Sequence, residues 1–114
     1  MTIQYQIIYW RDIPAHLRLR RGRNRMSYPL PEIFEKTVYR AAYRAKAITG
    51  DAYQESWHSE GWFDFEAASL KEQEPALEEV GEAIAAELVA AYDEARLDAL
   101  ALNEGREPMG SAQG

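Results

Sequence analysis

The residues of this chain best suited to chemistry are arginines. Arg18, Arg20, Arg21, Arg23 and Arg25 place five guanidinium groups within eight residues, and each group holds its donors in a planar fork that grips two oxygens of a phosphate or carboxylate at once. Arg11 precedes the cluster. Lys36, Arg40 and Arg44 follow it at i, i+4 and i+8, with Tyr39 and Tyr43 alongside. Such a set either recognises negative charge supplied from outside or is neutralised by acidic residues of the same chain. Both readings stay open, because surface ion pairs form readily and contribute little. The candidate anion- or partner-binding residues are therefore Arg11, Arg18, Arg20, Arg21, Arg23, Arg25, Arg40 and Arg44.

Other chemistries have weaker signatures. His16 and His58 are the only histidines, and neither sits in a metal-ligand spacing or beside a nucleophile motif. Gly22-Arg23 is too short a glycine signal to cradle a phosphate by itself. Cysteine is absent, which excludes disulfides, thiolate metal clusters and a thiol nucleophile. The glutamates Glu72, Glu74, Glu78, Glu79, Glu82 and Glu87 read as a solvated helix face rather than a cation site. No catalytic residue, metal or cofactor is assigned. An enzyme reading would need Glu55 or Asp64 as acid or base, between the arginines and an aromatic segment that runs from Tyr53 through Trp57, Trp62 and Phe63 to Phe65. Most of those rings suit the core of a sheet, while Trp10, Trp57 and Trp62 are candidate interface aromatics.

Charge is divided along the chain. Residues 1–50 carry a formal +7 and residues 51–114 a formal −13, together the net −6. The halves either pair against each other or present two faces of opposite potential. Basic residues interleaved with aromatics also suggest nucleic acid, but a pI near 4.9 argues against a dedicated nucleic-acid binder. With 114 residues, 46% of them hydrophobic, the chain is sized for one core. No apolar run has the length of a membrane span and no signal peptide opens the chain, so a cytoplasmic protein is expected.

Alternation of Ile3, Tyr5, Ile7 and Tyr9 with polar neighbours predicts a strand. Asp12-Ile13-Pro14 interrupts it, and His16 to Arg20 resumes with the leucines on one face and His16, Arg18 and Arg20 on the other, a hairpin-like pair. Arg21 to Pro31 reads as a loop, with Pro31 opening a helix whose apolar stripe ends near Gly50. Tyr53 to Phe65 predicts one long strand or two. Ser69, Glu72 and Pro75 predict a short preliminary turn. From Leu77 the stripe Val80, Ile84, Leu88, Ala91, Ala95, Leu102 predicts a single acidic helix of about seven turns. The order favours an α+β two-layer sandwich, with a three- to four-stranded antiparallel or mixed sheet covered on one face by two helices. Residues 1–103 would form the domain and 104–114 a flexible tail.

The run Ile8-Tyr9-Trp10-Arg11-Asp12-Ile13-Pro14, the segment Gly22-Arg23-Asn24-Arg25 and the helix from Pro31 to Lys46 resemble the bacterial virulence factor domain family over about two thirds of the chain. In a conserved staphylococcal protein that domain accompanies HEAT-like repeats, whereas this chain ends after one acidic helix, so any such repeat would belong to another polypeptide. The resemblance implies an accessory role, for stand-alone members near tetrahydrofolate- and corrinoid-dependent methyl transfer. The expected function is a non-catalytic binding module whose arginine-rich segment recognises an acidic protein subunit or an anionic ligand such as a polyglutamate or phosphate. Open sheet edges leave room for a homodimer.

Overall fold

The computed structural model describes residues 2–48, 50–65 and 76–107. Its centre is an open antiparallel sheet in the order β3-β2-β1-β4, with β5 also paired to β1. The strands are β1 (Ile3–Trp10), β2 (Ile13–Arg21), β3 (Asn24–Pro29), β4 (Trp57–Ser59) and β5 (Phe63–Asp64). The helices are α1 (Glu32–Arg44), α2 (Asp51–Glu55), α3 (Leu77–Ala91) and α4 (Glu94–Leu102). The α+β architecture is the expected one, with one strand and two helices more than the sequence suggested.

Arg11 and Asp12 form the turn between β1 and β2, and Arg11 takes φ +55°. Pro14 does not interrupt β2. It lies opposite Tyr9, where the register shifts between Ile8 and Tyr9 and leaves Ala15 as the extra residue, and a bulge of this kind accommodates proline inside a paired strand. Leu17 and Leu19 of β2 are fully buried. α1 and α3 both pack on β2, so the leucine face forms the core and the opposite face of β2 carries Arg18 and Arg20.

Arg21 to Pro31 is not a loop. Gly22, at φ +59°, opens a two-residue turn at the place where a tight hairpin takes glycine, and β3 then pairs with β2 from Arg21↔Asn24 to His16↔Pro29. Met26 and Tyr28 fall opposite Leu19 and Leu17, a two-residue alternation hidden in a composition rich in Arg, Ser and Pro.

The aromatic segment also departs from expectation at its start. Tyr53 lies in α2, and β4 and β5 are successive pieces of one edge strand along β1, paired Trp10↔Trp57 to Ile8↔Ser59 and then Tyr5↔Phe63 and Gln4↔Asp64. The turn predicted at Ser69 to Pro75 lies outside the described residues.

The acidic helix is two helices. Tyr92 leaves helical geometry at φ −114°, ψ 73°, and the Asp93 carboxylate accepts from the Arg96 amide at 2.8 Å, the contact that makes aspartate a preferred N-cap. The i+4 step from Ala91 to Ala95 continues across the break, which is why the apolar stripe alone reads as unbroken. After α4, Gly105 is buried, its carbonyl accepts from Asp12 N at 2.8 Å, and the Glu107 amide donates to Asp12 Oδ2 at 2.7 Å. The described chain is thus held to the β1–β2 turn as far as Glu107.

Burial, with Tyr92 and Glu60 nearby, pushes the Tyr9 hydroxyl up to about 12. The folded chain therefore keeps a proton that the unfolded chain releases above pH ~10, so this contribution to stability is present below that pH and is lost as pH rises towards 12. Denaturant midpoints should fall across that window, and Tyr9→Phe should flatten the fall; an unchanged slope in the variant would remove Tyr9 as its source.

Candidate functional site

The outer face of the sheet is a polar lattice built by strand register. Gln4 of β1 stands between Arg20 of β2 and Asp64 of β5. Arg20 Nε donates to Gln4 Oε1 at 2.9 Å, and Gln4 Nε2 donates to Asp64 Oδ1 at 2.9 Å. One row further, Gln6 lies opposite Arg18, its amide donating to the Glu60 carbonyl at 3.2 Å. The interruption between β4 and β5 brings Trp62 over the sheet, its ring 4.1 Å from the Arg20 guanidinium carbon, a cation–π contact that orients the head group.

Arg25 pairs across the strands with Arg20, and Ser27 with Arg18. Cross-strand partners sit about 5 Å apart at Cβ, and like charges so placed are destabilising unless something neutralises them. Arg20 is partly compensated by Gln4 and Trp62. Arg18, Arg23 and Arg25 are exposed, and their side chains make no hydrogen bond or ion pair among the described residues. A depression of about 290 Å3 opens here, lined by Arg18, Arg25, Ser27 and Trp62 with Leu19 and Met26. Its polar side chains, the two guanidinium groups, the Ser27 hydroxyl and the Trp62 indole N–H, can all donate hydrogen bonds. Arg21, half-buried near the tip of the β2–β3 hairpin, alternates with Arg20 and so falls on the leucine side of β2.

The remaining candidates lie elsewhere. Arg11 is structural: its Nε donates to Ser56 Oγ and its Nη1 to the Glu104 carbonyl, both at 3.0 Å, tying the β1–β2 turn to the ends of α2 and α4. Burial and the nearby Arg106 charge lower its pKa. Arg40 pairs with Asp98 at 2.9 Å, and Arg44 Nε donates to the Leu102 carbonyl at 2.8 Å, so both join α1 to α4. Internal pairing with the acidic half thus holds for Arg40 and, among the described residues, not for Arg18, Arg23 or Arg25. Trp10 is no surface aromatic: it is fully buried, its Nε1 donating to the Tyr53 carbonyl at 3.1 Å. Trp57 is half-buried with its ring centroid 5.7 Å from that of His16. Trp62 alone of the three joins the arginine face.

Glu55 and Asp64, the candidate acid and base, belong to opposite ends of β1. Glu55 precedes the strand paired to Trp10, and Asp64 is paired to Gln4, a separation of about 20 Å at strand rise. His58 donates from Nε2 to the Arg11 carbonyl, a structural contact. Among the described residues no group of three or more His, Cys, Asp or Glu is placed to hold a metal ion, and no helix is long and apolar enough to cross a membrane. The Trp62 contact was not legible in the sequence; the Gly61-Trp62 pair between two strand pieces was its only signal.

Fold and site together define a small α+β module with helices on one sheet face and arginines of the β2–β3 hairpin on the other. A family model described as Virulence factor matches residues 8–101, and the chain belongs to that family. The match reaches through α3 and most of α4, beyond the first two thirds in which the sequence motifs lie. No curated protein and no solved structure matches the chain.

Proposed function

We propose that this protein is a non-catalytic binding module that captures an acidic protein surface or an anionic ligand on the outer face of its β2–β3 hairpin. The observation that carries this reading is that Arg18, Arg23 and Arg25 stand exposed without intramolecular partners among the described residues, beside an Arg20 already oriented by Gln4 and Trp62. An orientation fixed in advance lowers the ordering cost of binding, and guanidinium forks suit bidentate contacts to carboxylate or phosphate. The family resemblance favours a place beside tetrahydrofolate- and corrinoid-dependent methyl transfer, where polyglutamate tails and cofactor phosphates supply such anions. A partner subunit of that system is the expected target, and the protein acts in the cytoplasm.

Arg23→Ala combined with Arg25→Ala tests this. Binding to immobilised polyglutamate should fall at least about tenfold, since hydrogen bonds to charged groups are worth roughly 1.5–3 kcal/mol each. Stability should change by no more than about 0.5 kcal/mol, as for other surface substitutions. Capture from native extract, read by mass spectrometry, should lose the same partners in the double variant. Retained binding with a large loss of stability would reverse the assignment and make the arginines structural.

A further inference from the structure

Two cavities lie along α1, one between α1 and the sheet end and one between α1 and α4, and no hairpin arginine lines either. The deeper, of about 770 Å3, has an apolar wall that includes Leu30, Val38, Ala42, Ile48 and Trp57. The shallower, of about 610 Å3, lies among Tyr43, Arg44, Lys46, Ala101 and Leu102. Tyr39 and Arg40 line both, so the two form one groove along α1.

The rim has the composition of a recognition surface. Tyr39 is 59% exposed, Tyr43 69% and Leu102 59%, and the two tyrosine rings lie 6.5 Å apart. Tyrosine and arginine around an apolar pocket are the residues that dominate binding energy at protein interfaces. Arg40 and Arg44 are held in place from α4 through one donor each, to Asp98 and to the Leu102 carbonyl. A guanidinium has five N–H donors, so each retains others for an incoming carboxylate.

Charge selects the occupant. The shallow end is lined by Arg40, Arg44 and Lys46 and by no carboxylate. At the deep end Glu35 lines the cavity together with Lys36 and Arg40, Lys36 lies 3.8 Å from Glu32, and Asp98 is held by Arg40. Lys36, Arg40 and Arg44 repeat every four residues, a step of about 6 Å along a helix. Carboxylates four residues apart on an opposing helix have the same step, and that helix brings apolar side chains at i, i+3, i+4 and i+7 to the groove. A small ligand would fill one cavity; a helix spans both.

We propose that the α1 groove docks an acidic amphipathic helix of a partner protein, a large apolar side chain entering the deep cavity and carboxylates meeting Arg40, Arg44 and Lys46. The surface shares no arginine with the hairpin site and does not rest on its role.

The test uses the full chain and three synthetic helical peptides: one with leucines at i, i+3, i+4 and i+7 flanked by glutamates, one with lysines replacing the glutamates, and one with serines replacing the leucines. The acidic leucine peptide should bind at least about tenfold more tightly than either control, a difference of about 1.4 kcal/mol, with NMR shifts at Tyr39, Tyr43 and Leu102. Tyr39→Ser with Tyr43→Ser should lose that binding, and Arg44→Glu with Lys46→Glu should transfer preference to the lysine peptide, which separates charge recognition from misfolding. Arg23→Ala with Arg25→Ala should bind like the parent chain. Absent binding, equal binding of a control peptide, dependence on Arg23 and Arg25, or self-association of the chain that blocks the peptide would each overturn the proposal.

Discussion

Trp10→Ala should lower the free energy of unfolding by about 3–5 kcal/mol, the range for removing a buried large aromatic. Trp10 is completely buried where four segments meet. Its ring centroid lies 6.0 Å from that of Tyr53, the Arg11 guanidinium carbon is 4.8 Å from its ring, and Gly105 is packed so closely that a Cβ there would come within 3.0 Å of the ring. Truncation removes this packing and leaves the Tyr53 carbonyl without the indole donor that reaches it at 3.1 Å. Loss of that donor adds to the cavity cost. Small domains commonly have a total stability of only about 5–15 kcal/mol, so the variant should be marginal at 37 °C. Trp10→Phe fills most of the space and should lose less. Equilibrium denaturation checks both, and a Trp10→Ala variant within about 1 kcal/mol of the parent would show that this junction is not a keystone.

Gly81→Ala should destabilise the protein although it sits inside a helix. In an exposed helix the same change is favourable by about 0.8–1.0 kcal/mol. Gly81 is instead where α3 crosses the sheet: a Cβ would lie 2.6 Å from Tyr28 Cδ2, 2.8 Å from Tyr28 Cγ and 3.0 Å from Leu19 Cδ1. The two closest atoms belong to a ring at its stem rather than the end of a flexible chain, and Leu19 is fully buried, so neither neighbour yields easily. Overpacking of this kind costs about 1–3 kcal/mol, which exceeds the propensity gain at the upper end of the range. A double-mutant cycle decides it. In a Tyr28→Ala background, where the ring is gone, Gly81→Ala should become neutral or stabilising, giving a coupling of about 1 kcal/mol or more. Independence of the two changes would mean that α3 does not approach β3 this closely.

These two residues also separate what was legible in the chain from what was not. The alternation around Leu17 and Leu19 marks a half-buried strand wherever it lies, because side chains of a strand point alternately to its two faces. It therefore assigned the leucines inward and Arg18 and Arg20 outward, as observed. The stripe in α1 was equally legible, through Val38, Ala41 and Ala42, all buried. Trp10 was harder: three tryptophans look alike in a sequence, and only contact with Tyr53 and Gly105 makes this one core. β3 was missed because four of its six residues, Asn24, Arg25, Ser27 and Pro29, are exposed and carry a turn-like composition. The break at Asp93 was missed because an N-cap aspartate looks like any other acid in an acidic helix.

The amino-acid sequence alone settled the α+β class, the clustering of arginines and the division of charge between the halves, since all three follow from residue type and local spacing. How each arginine is tied within the chain was decided by tertiary structure. Arg40 and Arg44 are anchored to α4 through one donor each and Arg11 to the ends of α2 and α4, whereas register aimed Arg18 and Arg25 away from the helices. Pairing between residues dozens of positions apart depends on how strands align and helices dock, and no local pattern carries that information.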